Sequence, residues 1–146
     1  MKILRKYIWL ILIPLLLVGC AKGPGRVRLK PSNIVVDAGE NDVNVQSVNY
    51  YFHIFDIYTY IGEDQTQTHS DPTFHIIDSQ TAQGNPGILM NLEAENDWIH
   101  VKMNSENEMT VHVKKNETGK TRKGVVTVQA IAVGTVGRIQ ITQTAK

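Results

Sequence analysis

From residue 27 onward the apolar residues of this chain recur at every second position. Val43 and Val45 alternate with Asp42, Asn44 and Gln46, and Val111 and Val113 with Thr110, His112 and Lys114. Val126 and Val128 alternate with Thr127 and Gln129, and Ile139 and Ile141 with Arg138, Gln140 and Thr142. Successive side chains of a strand point to opposite faces, so a period of two means one buried face and one wet face, as in antiparallel sheets. Turn-forming clusters separate the runs at 38–42, 85–87, 104–107, 116–119 and 134–137. After the N-terminal segment no long window carries a helical period. Strands are expected near 27–30, 33–37, 42–48, 50–61, 73–78, 87–95, 98–103, 108–114, 124–132 and 136–143. Many short strands at this spacing predict an all-β antiparallel sandwich.

Two stretches depart from alternation. Tyr50 to Ile61, "YYFHIFDIYTYI", is apolar or aromatic on both parities, so this strand is either covered on both faces or bulged partway. Gly62 to Ser70, "GEDQTQTHS", holds no apolar residue and is expected to be a long exposed loop.

The N-terminus has the layout of an export signal. Lys2, Arg5 and Lys6 are followed by an apolar run from Ile8 to Val18, shorter than the roughly 20 residues of a spanning helix. The run ends at Cys20, the chain's one cysteine, which excludes an internal disulfide. Leu17-Val18-Gly19-Cys20 resembles the lipobox of bacterial lipoproteins. The resemblance implies cleavage of residues 1–19 and a lipid on the Cys20 thiol, anchoring the chain in the cell envelope at the outer membrane. Residues 20–26 then form the lipidated cysteine and a tether, and 27–146 the domain. An acidic run after the cysteine marks surface display in some bacterial lipoproteins; Ala21 to Gly25 has none, so surface display is not expected from it. Basic residues near the tether (Lys22, Arg26, Arg28, Lys30) are placed to face anionic head groups, or simply to solubilise the linker.

Cleavage would remove three of the 15 basic residues, leaving 12 against 14 acidic ones. A chain with that balance is not a general nucleic-acid binder, which needs a basic face. A domain of this size buries roughly two-thirds of its unfolded surface and needs no disulfide staple.

The C-terminal half carries a more specific pattern. Asp97-Trp98-Ile99 and Val101 are followed by Thr110 to Val113, by Asn116, Thr118 and Arg122, by Gly124 to Val128 and by Ile139-Gln140-Ile141-Thr142-Gln143. In order and spacing these resemble the BACON domain, an immunoglobulin-like module common in lipoproteins and secreted proteins of Bacteroidetes. Leu29 to Asp37 and Val43 to Ser47 resemble its two opening strands; Tyr50, Tyr51 or Phe52 stands where a tryptophan usually follows. Residues 62–96 are longer than in the family, with room for two extra strands. The resemblance implies an immunoglobulin-like antiparallel β-sandwich with an insertion in the middle. It also implies a non-catalytic binding module with glycan, mucin glycans included, as the suggested ligand, or a mere spacer.

The residues themselves offer little chemistry. His53, His69, His75, His100 and His112 have no metal-ligand spacing, and no nucleophile–base pair stands out, so no metal, cofactor or enzymatic activity is expected. Aromatic side chains are the functional lead, because sugar C–H faces stack on exposed rings. The candidates are Tyr58, Tyr60, Tyr51, Tyr50 and Trp98, each weighed against ordinary core packing. For Trp98, flanked by Ile99, core packing is the stronger expectation, and Asn116 and Arg122 are expected to fix a loop. The alternative function is a structural or protein-interaction subunit of an envelope assembly, docked through strand 50–61 or an edge strand.

Overall fold

The computed structural model describes residues 25–60 and 68–146. The export signal, Cys20, most of the tether and residues 61–67 lie outside the described residues. What is described is all β, with eleven strands and no helix. They are β1 (Leu29–Lys30), β2 (Asn33–Val36), β3 (Asn41–Ser47), β4 (Phe52–Tyr60), β5 (Thr68–Ser70), β6 (His75–Thr81), β7 (Leu89–Glu95), β8 (Ile99–Ser105), β9 (Glu108–Val113), β10 (Arg122–Ala130) and β11 (Val136–Gln143).

The hydrogen-bonded order is β1-β3-β9-β8-β7-β4-β10-β11-β2, with β6 beside β7 and β5 beside β4. Setting aside β2, β5, β6 and β7 leaves seven strands in sheets of four and three. In chain order and partition these are the strands of an immunoglobulin-like sandwich. Alternate residues of the two sheets meet in one core: Val45, Ile99, Val101, Met109, Val111 and Val113 from one, and Ile54, Ile57, Val126, Val128, Ile139 and Ile141 from the other. Both sides of the sandwich are strapped. Chain 29–36 pairs with β3, then crosses at the cis Lys30–Pro31 peptide to pair with β11. On the other side β7 pairs with β8 through Glu93–Glu95 and meets β4 at Asn91. The β2–β11 pair is parallel, one exception to the expected antiparallel pattern.

Strand β4 is bulged. Asp56 opposes Thr127 and Ile54 opposes Val128, leaving Phe55 unpaired and exposed. The extra residue switches parity: Phe52, Ile54 and Ile57 all point into the core, while Asp56, Tyr58 and Tyr60 share the outer face.

Two expectations are corrected. The stretch 62–70 is not all loop, because Thr68–Ser70 form β5 on Tyr58–Tyr60. Ladder pairing uses backbone groups, so a polar segment can complete an edge without an apolar face. Against the two extra strands expected within 62–96, the described part, 68–96, holds three, and β6 is exposed along its whole length.

On the outer face of β10 the Thr127 hydroxyl is buried without a hydrogen-bond partner among the described residues. Valine keeps the shape and removes the orphaned group. Thr127→Val should therefore leave stability unchanged or raise it by about 1 kcal/mol, read as a higher urea midpoint.

Candidate functional site

The seven core strands leave their connecting loops at two ends, and the two ends differ in kind. At one end Trp98 wedges between the sheets, 6% exposed. Gly124 of β10 makes room for it: a Cβ there would lie 2.9 Å from Trp98 Cζ2 and 2.8 Å from Ile99 Cδ1. The Arg122 guanidinium covers the indole at 4.5 Å. Arg122 Nε donates to Gln143 Oε1 (2.8 Å), and its Nη2 to the carbonyls of Lys114 and Lys115. Fully buried Gln143 donates in turn to the Gly39 and Lys114 carbonyls, at 2.8 and 3.1 Å. Asn116 donates to the carbonyls of Lys120 (2.8 Å) and Thr144 (3.0 Å), and its Oδ1 accepts from the Thr118 N–H and hydroxyl. Asn116, Thr118 and Arg122 thus close a loop, and Trp98 presents no free face for stacking. Buried Asp71 ties the insertion to the same end. It accepts from Thr73 and from Asn96 Nδ2 (2.9 Å), while Asn96 Oδ1 receives the N–H groups of Trp98 and Ile99.

The other end is open. The β3–β4, β6–β7, β8–β9 and β10–β11 loops surround a cup of about 610 Å³. Tyr50 and Tyr51 supply its aromatic surface, Met90, Val48 and Ile131 its apolar one, and Asn49, Gln83, Glu106 and Asn107 its polar groups. Tyr50 is half-buried against the core, whereas Tyr51 is 62% exposed at the rim. The β3–β4 loop is held from within: the Ser47 hydroxyl accepts the N–H of Tyr50 (3.1 Å), and Asn49 clamps the incoming chain. Its Oδ1 accepts from Arg28 N (2.9 Å) and its Nδ2 donates to Arg26 O (3.0 Å). The side chains of Gln83 and Glu106 have no partner among the described residues, and Asn107 uses only its Oδ1, bonded to Ser105. A ring at the rim of a concavity with uncommitted amide and carboxylate groups is chemistry suited to a polyhydroxylated ligand. Glu106 is the cup's single carboxylate.

Tyr58 and Tyr60 lie elsewhere, half-buried on the outer face of β4. Burial first, then a hydrogen bond and charge repulsion from Asp56, holds the Tyr58 phenol above its ordinary value. The structure therefore splits the five aromatic candidates. Tyr50 and Tyr51 share the cup, Tyr58 and Tyr60 share a sheet face, and Trp98 belongs to the core. Gln83, Glu106, Asn107 and Ile131 were not legible as site residues. They come from three different loops, and the only signal was turn-forming composition around them.

A third polar group runs across the outer face of the β3-β9-β8-β7-β6 sheet. His112 bonds Asp42 through Nδ1 (2.7 Å) and Glu40 through Nε2 (3.0 Å); His100 bonds Glu93 (2.9 Å), and His75 bonds Glu95 (3.3 Å). Lys102 pairs with Glu93 and Lys114 with Glu95. Register brings His100 opposite His112, so histidines scattered in sequence become neighbours. Hydrogen bonds from Lys102 and His100 hold Glu93 below the usual carboxylate range, and one from Lys114 does so for Glu95. Among the described residues no group of three or more His, Cys, Asp or Glu side chains is arranged to hold a metal ion.

His53 is buried on β4, its Nδ1 3.1 Å from the Ile54 carbonyl. Burial holds its pKa below the ordinary 6.5, partly offset by bonds to Ile54 and Gln129. As pH falls below 6.5 the unfolded chain takes up a proton that folded His53 refuses. Stability then falls until the folded imidazole also titrates. Urea midpoints should drop between neutral and mildly acidic pH, and His53→Gln should make that drop smaller.

Comparison with known proteins gives the fold. No family model and no curated protein matches the chain. An NMR structure of a protein from Bacteroides thetaiotaomicron superposes with a TM-score of 0.58 at 17% identity, over 87% of this chain and 93% of that one. At that identity the likeness shows the fold alone. A structure of the bacterial superantigen toxic shock syndrome toxin-1 aligns over 80% of this chain and 97% of its own, at 14% identity. Its TM-score of 0.37 does not establish a shared architecture.

Proposed function

We propose that this chain is a lipid-anchored envelope protein whose BACON-like sandwich binds glycan, without catalysis, in the cup at the Tyr50–Tyr51 end. The observation that carries the reading is the cup itself. It places an exposed tyrosine beside polar groups with free hydrogen-bonding capacity, on loops fixed by rigid strands. The lone carboxylate favours binding over hydrolysis, since glycosidases use two acidic groups across the scissile bond. The BACON resemblance is supported by its motif residues, Trp98, Asn116, Thr118 and Arg122, meeting at one end of an immunoglobulin-like sandwich. Membrane attachment rests on the Leu17–Cys20 lipobox and its preceding apolar run. The test is binding of the mature chain to a panel of mucin oligosaccharides and plant polysaccharides by calorimetry. Saturable binding to at least one, lost on changing cup residues, is expected; binding to none sinks the glycan reading.

A second reading has one observation of its own. The outer edge of β6 is unpaired among the described residues, and Ile76 and Ile77 are exposed on it. Such an edge can accept a strand from a partner protein. Strand 50–61 itself is not available for this, because β4 is flanked by β10 on one side and by β5 and β7 on the other. Ile76→Lys would break a β6-mediated complex and leave glycan binding intact.

A further inference from the structure

The chain enters the domain at the cup. Val27 N donates to Val136 O at the start of β11 (3.3 Å), and Val48 N to Arg28 O (3.0 Å). The Asn49 side chain, part of the cup lining, clasps the backbone of Arg26 and Arg28. From Cys20 to Arg26 is six residues, about 20 Å at full extension. Strand β10, nine residues running from the Trp98 end to the cup, spans about 30 Å. A tether rooted at the cup is thus too short for the domain to stand on its Trp98 end with the cup turned away from the surface that holds Cys20.

The surface composition agrees with that geometry. Among the described residues eight large apolar side chains are exposed: Val35, Val48, Tyr51, Phe55, Ile76, Ile77, Leu89 and Val133. Four of them, Val48 (48%), Tyr51 (62%), Leu89 (60%) and Val133 (42%), lie on or beside the loops of the cup end. Arg26 and Arg28 stand exposed beside them. An apolar rim with basic residues at its margin complements an anionic lipid surface.

We propose that the cup end of the sandwich docks on the lipid surface. Val48, Leu89 and Val133 form the contact, and Arg26 and Arg28 face anionic head groups. The proposal rests on the lipid attachment at Cys20 stated above, but not on any ligand in the cup. It has a consequence for that ligand: a saccharide held there is one displayed at the membrane surface.

The test uses the mature lipidated chain in vesicles of phosphatidylethanolamine and phosphatidylglycerol carrying a head-group spin label. Cys20 is the only cysteine and its thiol would carry the lipid, so single probes can be attached at Val133→Cys in the β10–β11 loop and at Ala145→Cys near the opposite end. Quenching is expected to be severalfold stronger at position 133 than at 145. The difference should shrink in the Arg26→Glu, Arg28→Glu variant and at high salt. Equal quenching, or stronger quenching at 145, overturns the docking and leaves both the lipid anchor and the cup's ligand untouched. Failure of the chain to attach to vesicles overturns the anchor and the docking together, while glycan binding in solution would still stand.

Discussion

Replacing Gly124 by valine should destabilise the domain by about 3 kcal/mol or more, visible as a large fall in the urea midpoint. The cost is steric. A Cβ at this position would meet Ile99 Cδ1 at 2.8 Å and Trp98 Cζ2 at 2.9 Å. Ile99 is fully buried in the core, and the Trp98 ring is backed by Arg122, which Gln143 and two backbone carbonyls hold in place. The Ile99 terminal methyl is enclosed by the core and the Trp98 ring is rigid, so the added methyls must push packed side chains and the sheets apart. Alanine should cost less, about 1–2 kcal/mol, because it adds one methyl group. Gly87→Ala is the control: the nearest atom to its Cβ is 3.7 Å away, an ordinary contact, and the midpoint should barely move.

Tyr51→Ala should weaken glycan binding by about thirtyfold, the equivalent of about 2 kcal/mol for the loss of an aromatic anchor at a site. Stability should stay near that of the parent, because the ring is 62% exposed and contributes little to the core. Tyr51→Phe separates the two contributions of the side chain. It keeps the stacking face and loses only the hydroxyl, so it should retain most of the affinity. Tyr58→Ala and Tyr60→Ala, on the sheet face, should leave binding unchanged. Calorimetric titration of each variant with the tightest-binding glycan of the panel reads all four outcomes.

The strands were legible because burial on one face leaves a period of two, and each of Val43/Val45, Val111/Val113, Val126/Val128 and Ile139/Ile141 lies in a strand. The irregularity of 50–61 was legible as a choice between two-faced burial and a bulge, and the bulge at Phe55 is the outcome. Strand β5 was hidden because its residues are polar and a backbone ladder needs no apolar pattern in the sequence. Trp98 was legible as core from its apolar neighbours, although the glycine that admits it lies twenty-six positions away and on the opposing sheet. The cup was the least legible feature. Tyr50 and Tyr51 stood out as aromatic, but nothing local says that Gln83, Glu106 and Ile131 come to lie around them. That proximity follows from which loops share an end of the sandwich, and so from topology.

The central claim is that the cup, rather than the Tyr58–Tyr60 face or the Trp98 end, is where this domain meets its ligand. Backbone amide shifts of the mature chain, followed by NMR during titration with a bound oligosaccharide, test it directly. The account predicts that the largest shifts fall at Asn49 to Tyr51, Gln83, Glu106, Asn107 and Ile131. Shifts concentrated at Tyr58 and Tyr60, or no shifts at any concentration of any glycan tried, would contradict it.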